Sequence, residues 1–427
     1  MRTLIIVCSF LFSSTVWAQN SAHFGAPKFV PENGRLLVIG QDLGAVGGLD
    51  AYTNGYVDTN GQIPAGVTTY TDIPDLGGLT SRVNYGAGDI NAQAYVEDET
   101  FDNSAIVIGL YMVGNTNGII GGFRNNIIRQ LGQWIKDADR PVFLRIGYEF
   151  DGPWNSYAPA DYIAAYQQIV HIMDEEEVTN IAYVWQSAGI NTSNISRWYP
   201  GDEYVNWVGY SFFDGGNPGQ SIRNFAEEHN KPIMIAEATP RMDLKTVNAD
   251  AAIRGWFSPL FTQIDGNDNI KALSYINVDW DSQTMWQGQG WGDSRVEVNE
   301  GVQEYWLNRT NQDEWLKASP TLFEDLKYSL WRDSLIENKV TGIEDFIEES
   351  APYKLTMELG QPILQAVNGS LDQLEIYSPE GKRLYFTNEP RTRYLLPEVI
   401  RNRPIIIRAL HGNAVHVHKH LISVSNE

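Results

Sequence analysis

Residues 140–149 read Arg140-Pro-Val-Phe-Leu-Arg-Ile-Gly-Tyr-Glu149, and residues 231–237 read Lys231-Pro-Ile-Met-Ile-Ala-Glu237. Each stretch opens on a base and a proline, runs through apolar residues and stops on a carboxylate. A short, near-continuous apolar run is a strand buried on both faces, as in parallel sheets covered by helices. A charge at the far end of such a strand belongs at the carboxyl rim of a barrel, where functional groups are delivered. Working outward, apolar runs of strand length recur at 36–40, 66–71, 105–111, 141–148, 180–186, 204–212, 231–237 and 270–278. Amphipathic helical patterns fall between the later ones, at 123–135, 158–174, 221–228 and 249–263. Eight strands alternating with helices predict an α/β fold, a (β/α)8 TIM barrel. The glycine-rich stretch 44–61 reads as a long loop. In this count Glu149 and Glu237 are the last residues of strands four and seven.

The chain has 427 residues, enough for a large barrel and a smaller module. Residues 1–18 read as a signal peptide: an early Arg2, an apolar run from Leu4 to Phe12, and Val16 and Ala18 at the −3 and −1 positions before Gln19. The only cysteine, Cys8, lies inside this segment, so the processed protein is expected to have no disulfide. No run is long enough to predict a membrane span. The net charge of −22 argues against nucleic acid, whose phosphates need a basic face.

Composition changes near residue 350. Residues 1–350 carry 22 Lys and Arg against 46 Asp and Glu, whereas residues 351–427 carry 9 against 7. All 13 Trp lie at or before Trp331. The expected organisation is a signal peptide over 1–18, a catalytic barrel over 19–340, a linker over 341–352 and a β-rich module over 353–427. In the tail, alternating or apolar runs are separated by turns at 379–381 and 411–413, which reads as a small antiparallel β-module.

Two carboxylates meeting in one cleft are the minimum equipment for cleaving a glycosidic bond. In the retaining scheme one attacks the anomeric carbon while the other donates and later takes back a proton. Glu149 is assigned as acid/base and Glu237 as nucleophile. The competing reading is that both are ordinary charged strand ends. Arg145 falls in the interior pattern of its strand and, once buried, needs a carboxylate partner, which a strand-end acid can supply. The loop Phe150-Asp151-Gly-Pro-Trp154-Asn155-Ser-Tyr157 combines groups that stack on a sugar face with groups that bond its hydroxyls. Trp185 and Gln186 close strand five, Tyr210 lies near the end of strand six, and Trp280 follows strand eight. With Tyr148, Asp151, Trp154, Asn155 and Arg145 these are the candidate substrate-binding residues. The loop 286–295 either closes one end of the cleft or is tied down by an Asp293–Arg295 turn.

The order and spacing of the two glutamate motifs resemble the clan A glycoside hydrolases, whose acid/base and nucleophile end strands four and seven. Within that clan the chain is most similar to glycoside hydrolase family 26, which includes β-mannanases, mixed-linkage β-glucanases and β-1,3-xylanases. The resemblance spans roughly residues 100–285. It rests on Arg145-Ile-Gly-Tyr-Glu149 with Trp154 and Asn155, on Trp198-Tyr-Pro-Gly-Asp202-Glu-Tyr204-Val205, and on Pro232 to Glu237. Two departures stand out. Tyr148 replaces the His that usually precedes the acid/base, and Ser211 and Phe213 replace an Asp and a Tyr that usually end strand six.

The function this implies is a secreted, endo-acting, retaining hydrolase of a β-linked mannan, xylan or glucan, working by double displacement. The alternatives are a hydrolase of a marine sulfated galactan or fucan, a polysaccharide lyase, and a carbohydrate-binding protein on a decayed barrel. The expected partner is a polysaccharide or oligosaccharide, with no cofactor. His416, His418 and His420 alternate on one predicted strand. Such a row can hold a divalent ion, but an exposed basic strand is preferred and no metal is expected. The tail resembles the C-terminal sorting modules of secreted Bacteroidetes proteins, which implies a secretion or surface-attachment system and a secreted or cell-surface bacterial location. The competing reading of the tail is an accessory β-sandwich.

Overall fold

The computed structural model describes residues 25–328 and, within 353–422, all but short breaks at 359–360, 368, 378–382, 398–402 and 412–413. The expected signal peptide and linker lie outside the described residues. The chain divides into two compact units, Met1–Arg332 and Asp333–Glu427.

The first unit is a closed barrel of eight parallel strands: β1 Arg35–Gly40, β2 Gly66–Asp72, β3 Ala105–Tyr111, β4 Val142–Ile146, β5 Ile181–Ser187, β6 Trp207–Phe212, β7 Ile233–Ala238 and β8 Ile270–Ile276. Each strand pairs in parallel with the next, and β8 closes on β1. A two-residue strand, Trp315–Leu316, also pairs with β1. The main helices include α1 Asn125–Asp137, α2 Pro159–Glu175 and α3 Gln220–Glu228. The expected continuous helix over 249–263 is instead Ala249–Ala252, a π-helical turn Ile253–Phe257, and Ser258–Asp265. Pro259 lacks an N–H and cannot bond back to the preceding turn, which favours the looser winding there.

Alternation along the strands builds two cores. Leu36, Val38, Val107, Phe143, Val184, Trp207, Met234 and Ala236 form one buried cluster, filling the barrel interior as in other barrels of this type. Their sequence neighbours Leu37, Ile106, Leu144, Trp185, Val208 and Ile235 belong to a larger cluster with the helices. Toward the carboxyl end the interior turns polar. There Thr68 and Ser274 share a 2.7 Å hydrogen bond, and Arg145, Gln186 and Ser211 are buried.

The second unit is antiparallel. Strands β9 Tyr353–Glu358, β10 Gln361–Ala366 and β13 Arg393–Leu395 form one sheet. Strands β11 Gln373–Tyr377, β12 Arg383–Thr387, β14 Arg403–His411 and β15 Ala414–Ile422 form another. Leu364, Leu371, Leu374, Ile376, Tyr394, Ile405 and Ile407 make its core. His416, His418 and His420 lie on β15; their side chains are outside what is described.

Candidate active site

The β4 end departs from the expected strand. β4 stops at Ile146, and Gly147 and Glu149 both take left-handed backbone, at φ 54° and 53°. Glu149 therefore sits in a tight turn beyond the strand. A Cβ at Gly147 would come within 2.4 Å of the Met112 methyl carbon, so glycine is needed for space as well as for φ. A left-handed glutamate costs about 1–2 kcal/mol, and the surrounding bonds hold it. Asn155 Nδ2 donates to the Tyr148 and Glu149 carbonyls at 2.9 and 2.8 Å. The Phe150 N–H donates to the Gln186 carbonyl at 3.1 Å. The turn aims the Glu149 carboxyl into the barrel mouth, where Ser211 Oγ donates to Oε1 at 2.7 Å and Trp154 Nε1 donates to Oε2 at 2.9 Å. Burial, then the negative charge of Glu237, push Glu149 up to about 8; the two donors and Arg145 pull it back.

The β7 end is built differently. β7 carries one extra residue between Ile235 and Ala238 relative to both neighbours: Tyr210 pairs with Ile235 but Ser211 with Glu237, and Leu273 pairs with Ile235 but Tyr275 with Ala238. Met234 and Ala236 already face the interior. Strict alternation would point Glu237 outward, and the bulge turns it in. There Arg145 Nη1 donates to Glu237 Oε1 at 2.5 Å and to Gln186 Oε1 at 2.9 Å. Gln186 Nε2 donates to Ser211 Oγ at 3.1 Å and lies 3.4 Å from Glu237 Oε1. One hydrogen-bonded chain thus runs Glu149, Ser211, Gln186, Glu237, Arg145. The guanidinium lies 5.0 Å from the Tyr70 ring centre and 5.3 Å from that of Tyr148. Burial, and after it the neighbouring charges that include Glu237, hold both phenols well above their usual range, so they stay neutral. Gly109 makes room for this stack: a Cβ there would lie 2.5 Å from the Tyr70 ring and 2.8 Å from Arg145 Nη2.

The structure brings together Glu149, Glu237, Arg145, Tyr148, Gln186 and Trp154. The Trp154 indole is 59% exposed while its N–H reaches Glu149, so a ring face is open at the site. Other candidates are corrected. Trp185 is fully buried behind the strand, stacked on Phe150 at 4.5 Å, with its N–H on the Trp198 carbonyl. Tyr210 is also buried outside the barrel, its hydroxyl on Gln263 and its ring under Arg223. Both alternate with inward residues on their strands, which sends their side chains to the helices. Asp151 accepts from Ser187 Oγ and the Ala188 N–H, each at 2.7 Å, so it anchors the turn to β5 rather than facing substrate. Asn155 serves the turn backbone in the same way. Trp280 sits at the mouth but is only 3% exposed, with its N–H on Thr239 Oγ1 and its ring against Trp286 and Trp291. In the loop 286–295, Arg295 binds Asp293 through Nε and Nη2, and Lys245 reaches the same carboxylate at 2.8 Å.

Two further residues stand in the site. Ser211 links the carboxylates, and Tyr70 flanks Arg145. The signal for both was parity: Thr68 and Tyr70 on β2, and Gly209 and Ser211 on β6, alternate with buried outward residues. Among the described residues no group of three or more His, Cys, Asp or Glu side chains could hold a metal ion, and no helix is long and apolar enough to cross a membrane.

Residues 79–277 match the family model described as glycosyl hydrolase family 26. Over 338 residues the chain is 33% identical to a β-1,3-xylanase, TXYA, of a Vibrio species, covering 72% of this chain and 71% of that protein. It is 34% identical to a β-1,3-xylanase of an Alcaligenes species, covering 72% and 70%. Among solved structures, a family 26 β-mannanase from Bacteroides ovatus aligns with a TM-score of 0.49 at 10% identity, over 67% of this chain and 91% of that one.

Proposed function

Because the chain belongs to glycosyl hydrolase family 26, and is thereby a glycoside hydrolase acting on a β-linked polysaccharide, we propose that it cuts internal bonds of a β-1,3-linked xylan with retention of configuration. In the proposed first step a Glu237 carboxylate oxygen bonds to the anomeric carbon as the glycosidic C–O bond breaks. The Glu149 proton moves to the departing oxygen. In the second step a water attacks that carbon, Glu149 takes its proton, and the glycosyl ester opens to restore the Glu237 carboxylate.

The observation that carries this reading is the asymmetric link between the acids. Glu149 is held by neutral donors and raised to about 8, which keeps a proton available near neutrality. Glu237 is ion-paired through one oxygen with the buried Arg145 guanidinium, which fixes the carboxylate for attack. The choice of xylan is supported by the two relatives named as β-1,3-xylanases.

The test is to incubate purified protein with β-1,3-xylan, β-mannan, mixed-linkage β-glucan and sulfated galactan and fucan. New reducing ends and the first anomer formed are then followed by proton NMR. Reducing ends from β-1,3-xylan with the β-anomer first are expected. Full activity in both Glu149→Gln and Glu237→Gln overturns the mechanism. An ultraviolet-absorbing unsaturated product would reveal a lyase, and binding without cleavage a lectin-like protein. Residues 1–18 and the tail are read as export and sorting segments of a secreted or surface protein. An exported product beginning at Gln19, and an active but mislocalised protein after truncation near Glu349, are the expected outcomes.

A further inference from the structure

Tyr70, Gly109 and Arg145 stand in one row across three neighbouring strands. Tyr70 on β2 is the register partner of Gly109 on β3, and Gly109 is that of Arg145 on β4. Parity puts all three inside the barrel. Val107 and Phe143, two residues before Gly109 and Arg145, belong to the interior cluster, and Thr68, two before Tyr70, bonds Ser274 there. Neighbouring strands lie about 4.8 Å apart, so a side chain on the middle strand normally separates those on either side. Gly109 leaves that place empty, and the Tyr70 ring and the Arg145 guanidinium meet over β3. A Cβ on Gly109 would lie 2.5 Å from the ring and 2.8 Å from Arg145 Nη2. Tyr148 adds a second ring, 5.3 Å from the guanidinium carbon and 5.3 Å from the Tyr70 ring.

These rings do for the cation what hydrogen bonds do elsewhere. Arg145 is fully buried, and its Nη1 donates to Glu237 Oε1 at 2.5 Å and to Gln186 Oε1 at 2.9 Å. Nε and Nη2 meet no acceptor at hydrogen-bond distance. A guanidinium bonded at one corner can turn about that corner. A ring face within about 6 Å attracts it, most strongly where water is excluded, and opposes that turning. The consequence falls on Glu237. Among the described residues both of its side-chain donors, Arg145 Nη1 and Gln186 Nε2, reach Oε1, and Oε2 receives none. Oε1 is the anchored oxygen and Oε2 the free one. How accurately Oε2 meets an anomeric carbon therefore depends on how firmly the guanidinium is held.

We propose that Tyr70 is a positioning residue for the nucleophile: its ring, with that of Tyr148, holds the Arg145 guanidinium on Glu237 Oε1 and so fixes Oε2 for attack. This rests on the double-displacement reading above. Tyr70 acts through Arg145 and moves no proton. The ring matters more than the hydroxyl, because the cation is drawn to the face of the π system, which phenylalanine also has. The effect belongs to the step that forms the glycosyl–Glu237 bond. It does not depend on the leaving group, since the Glu149 proton has no part in placing Oε2.

The experiment times covalent labelling by a β-1,3-linked 2-deoxy-2-fluoro-xylobiosyl fluoride, whose fluoride departs without help from Glu149. Intact-protein mass spectrometry follows the label, and peptide mapping locates it. Tyr70→Leu should label Glu237 at least about tenfold more slowly, with the loss in the limiting rate rather than in the concentration for half-saturation. It should still reach the wild-type end point, which a partly unfolded protein does not. Tyr70→Phe should recover most of the loss. Gly109→Ala, which forces ring and guanidinium apart with Tyr70 intact, should slow labelling in the same way. If wild-type protein takes up no label at Glu237, the double-displacement reading fails and this inference with it. If wild type is labelled there, this inference alone is overturned when Tyr70→Leu keeps the wild-type rate, or when Tyr70→Phe is as slow as Tyr70→Leu. Should Tyr70→Leu fail to fold, a wild-type rate in Gly109→Ala overturns it instead.

Discussion

Glu149 and Glu237 close two stretches of near-identical design, base–proline–apolar run–carboxylate, yet their surroundings have little in common. Glu149 stands on a left-handed turn beyond its strand, met by a hydroxyl and an indole N–H. Glu237 stands within its strand, turned inward by an extra residue and met by a buried guanidinium. The difference teaches that chemical role is assigned by neighbours. In the proposed scheme, neutral donors in a buried, negative setting leave a proton on Glu149, and the guanidinium holds and aims Glu237. Gln186 and Ser211 keep the two environments distinct while joining them.

The comparison can be broken in several ways. The largest effect should come from the carboxylates. Glu149→Gln is expected to lower kcat by about 10²–10⁴-fold on polymer and by less on a substrate with an activated leaving group. Glu237→Gln should show no such leaving-group rescue. Steady-state kinetics on both substrate types checks this, and equal behaviour of the two variants would erase the distinction. Next in size is Arg145→Met, which leaves Glu237 buried without its partner. A loss of about 3–5 kcal/mol in stability is expected from urea unfolding at pH 7, together with loss of activity.

Gly147→Ala targets the other region. The strained φ and the clash with Met112 should cost about 1–2 kcal/mol. The accompanying fall in kcat should exceed any change in KM, because the substitution displaces the proposed acid rather than a binding group.

The pH behaviour sharpens the contrast further. Activity should fall as pH rises through about 8, where Glu149 loses its proton. The stability sign follows from the same shift. The unfolded chain ionises Glu149 near 4.5, whereas the folded protein holds the proton until about 8. Folding stability therefore declines across that window as pH rises. Glu149→Gln should remove this decline, so its stability relative to wild type should be unchanged at pH 4 and should rise steadily toward pH 8. Chemical denaturation at several pH values reads this directly. The smallest effect is that of Ser211→Ala. Without its hydroxyl donor Glu149 should rise further, moving the alkaline limb of kcat/KM up by about half to one pH unit. A limb that stays in place would show that Ser211 does not tune Glu149.

Much of the barrel was legible because buried parallel strands leave apolar runs and the helices between them leave a 3.6-residue pattern. The eight runs fall on the eight strands, with ends shifted by up to three residues. The substrate-facing aromatics were read less well. Trp185 and Tyr210 lie at the right height in the barrel but on the wrong face, and composition near a strand end does not report facing. Counting in twos from Arg145 and its register partner Val184 would have placed Trp185 outside and Gln186 inside. In the sequence Asp151 and Asn155 resemble sugar ligands, because polar groups in a loop look like a binding surface. Only the folded turn shows that its own carbonyls and the β5 end occupy them.

The sequence by itself determined the barrel, the two acids, and the burial of Arg145 that demanded a partner, because each follows from local hydrophobic pattern and the cost of burying charge. Tertiary structure alone decided that Glu237 faces inward. The extra residue in β7 reverses the parity that its own strand would dictate, and a bulge exists only between paired strands. It also decided that Glu149 holds its proton, since that depends on groups from β4, β6, β7 and the loop carrying Trp154 converging on one point.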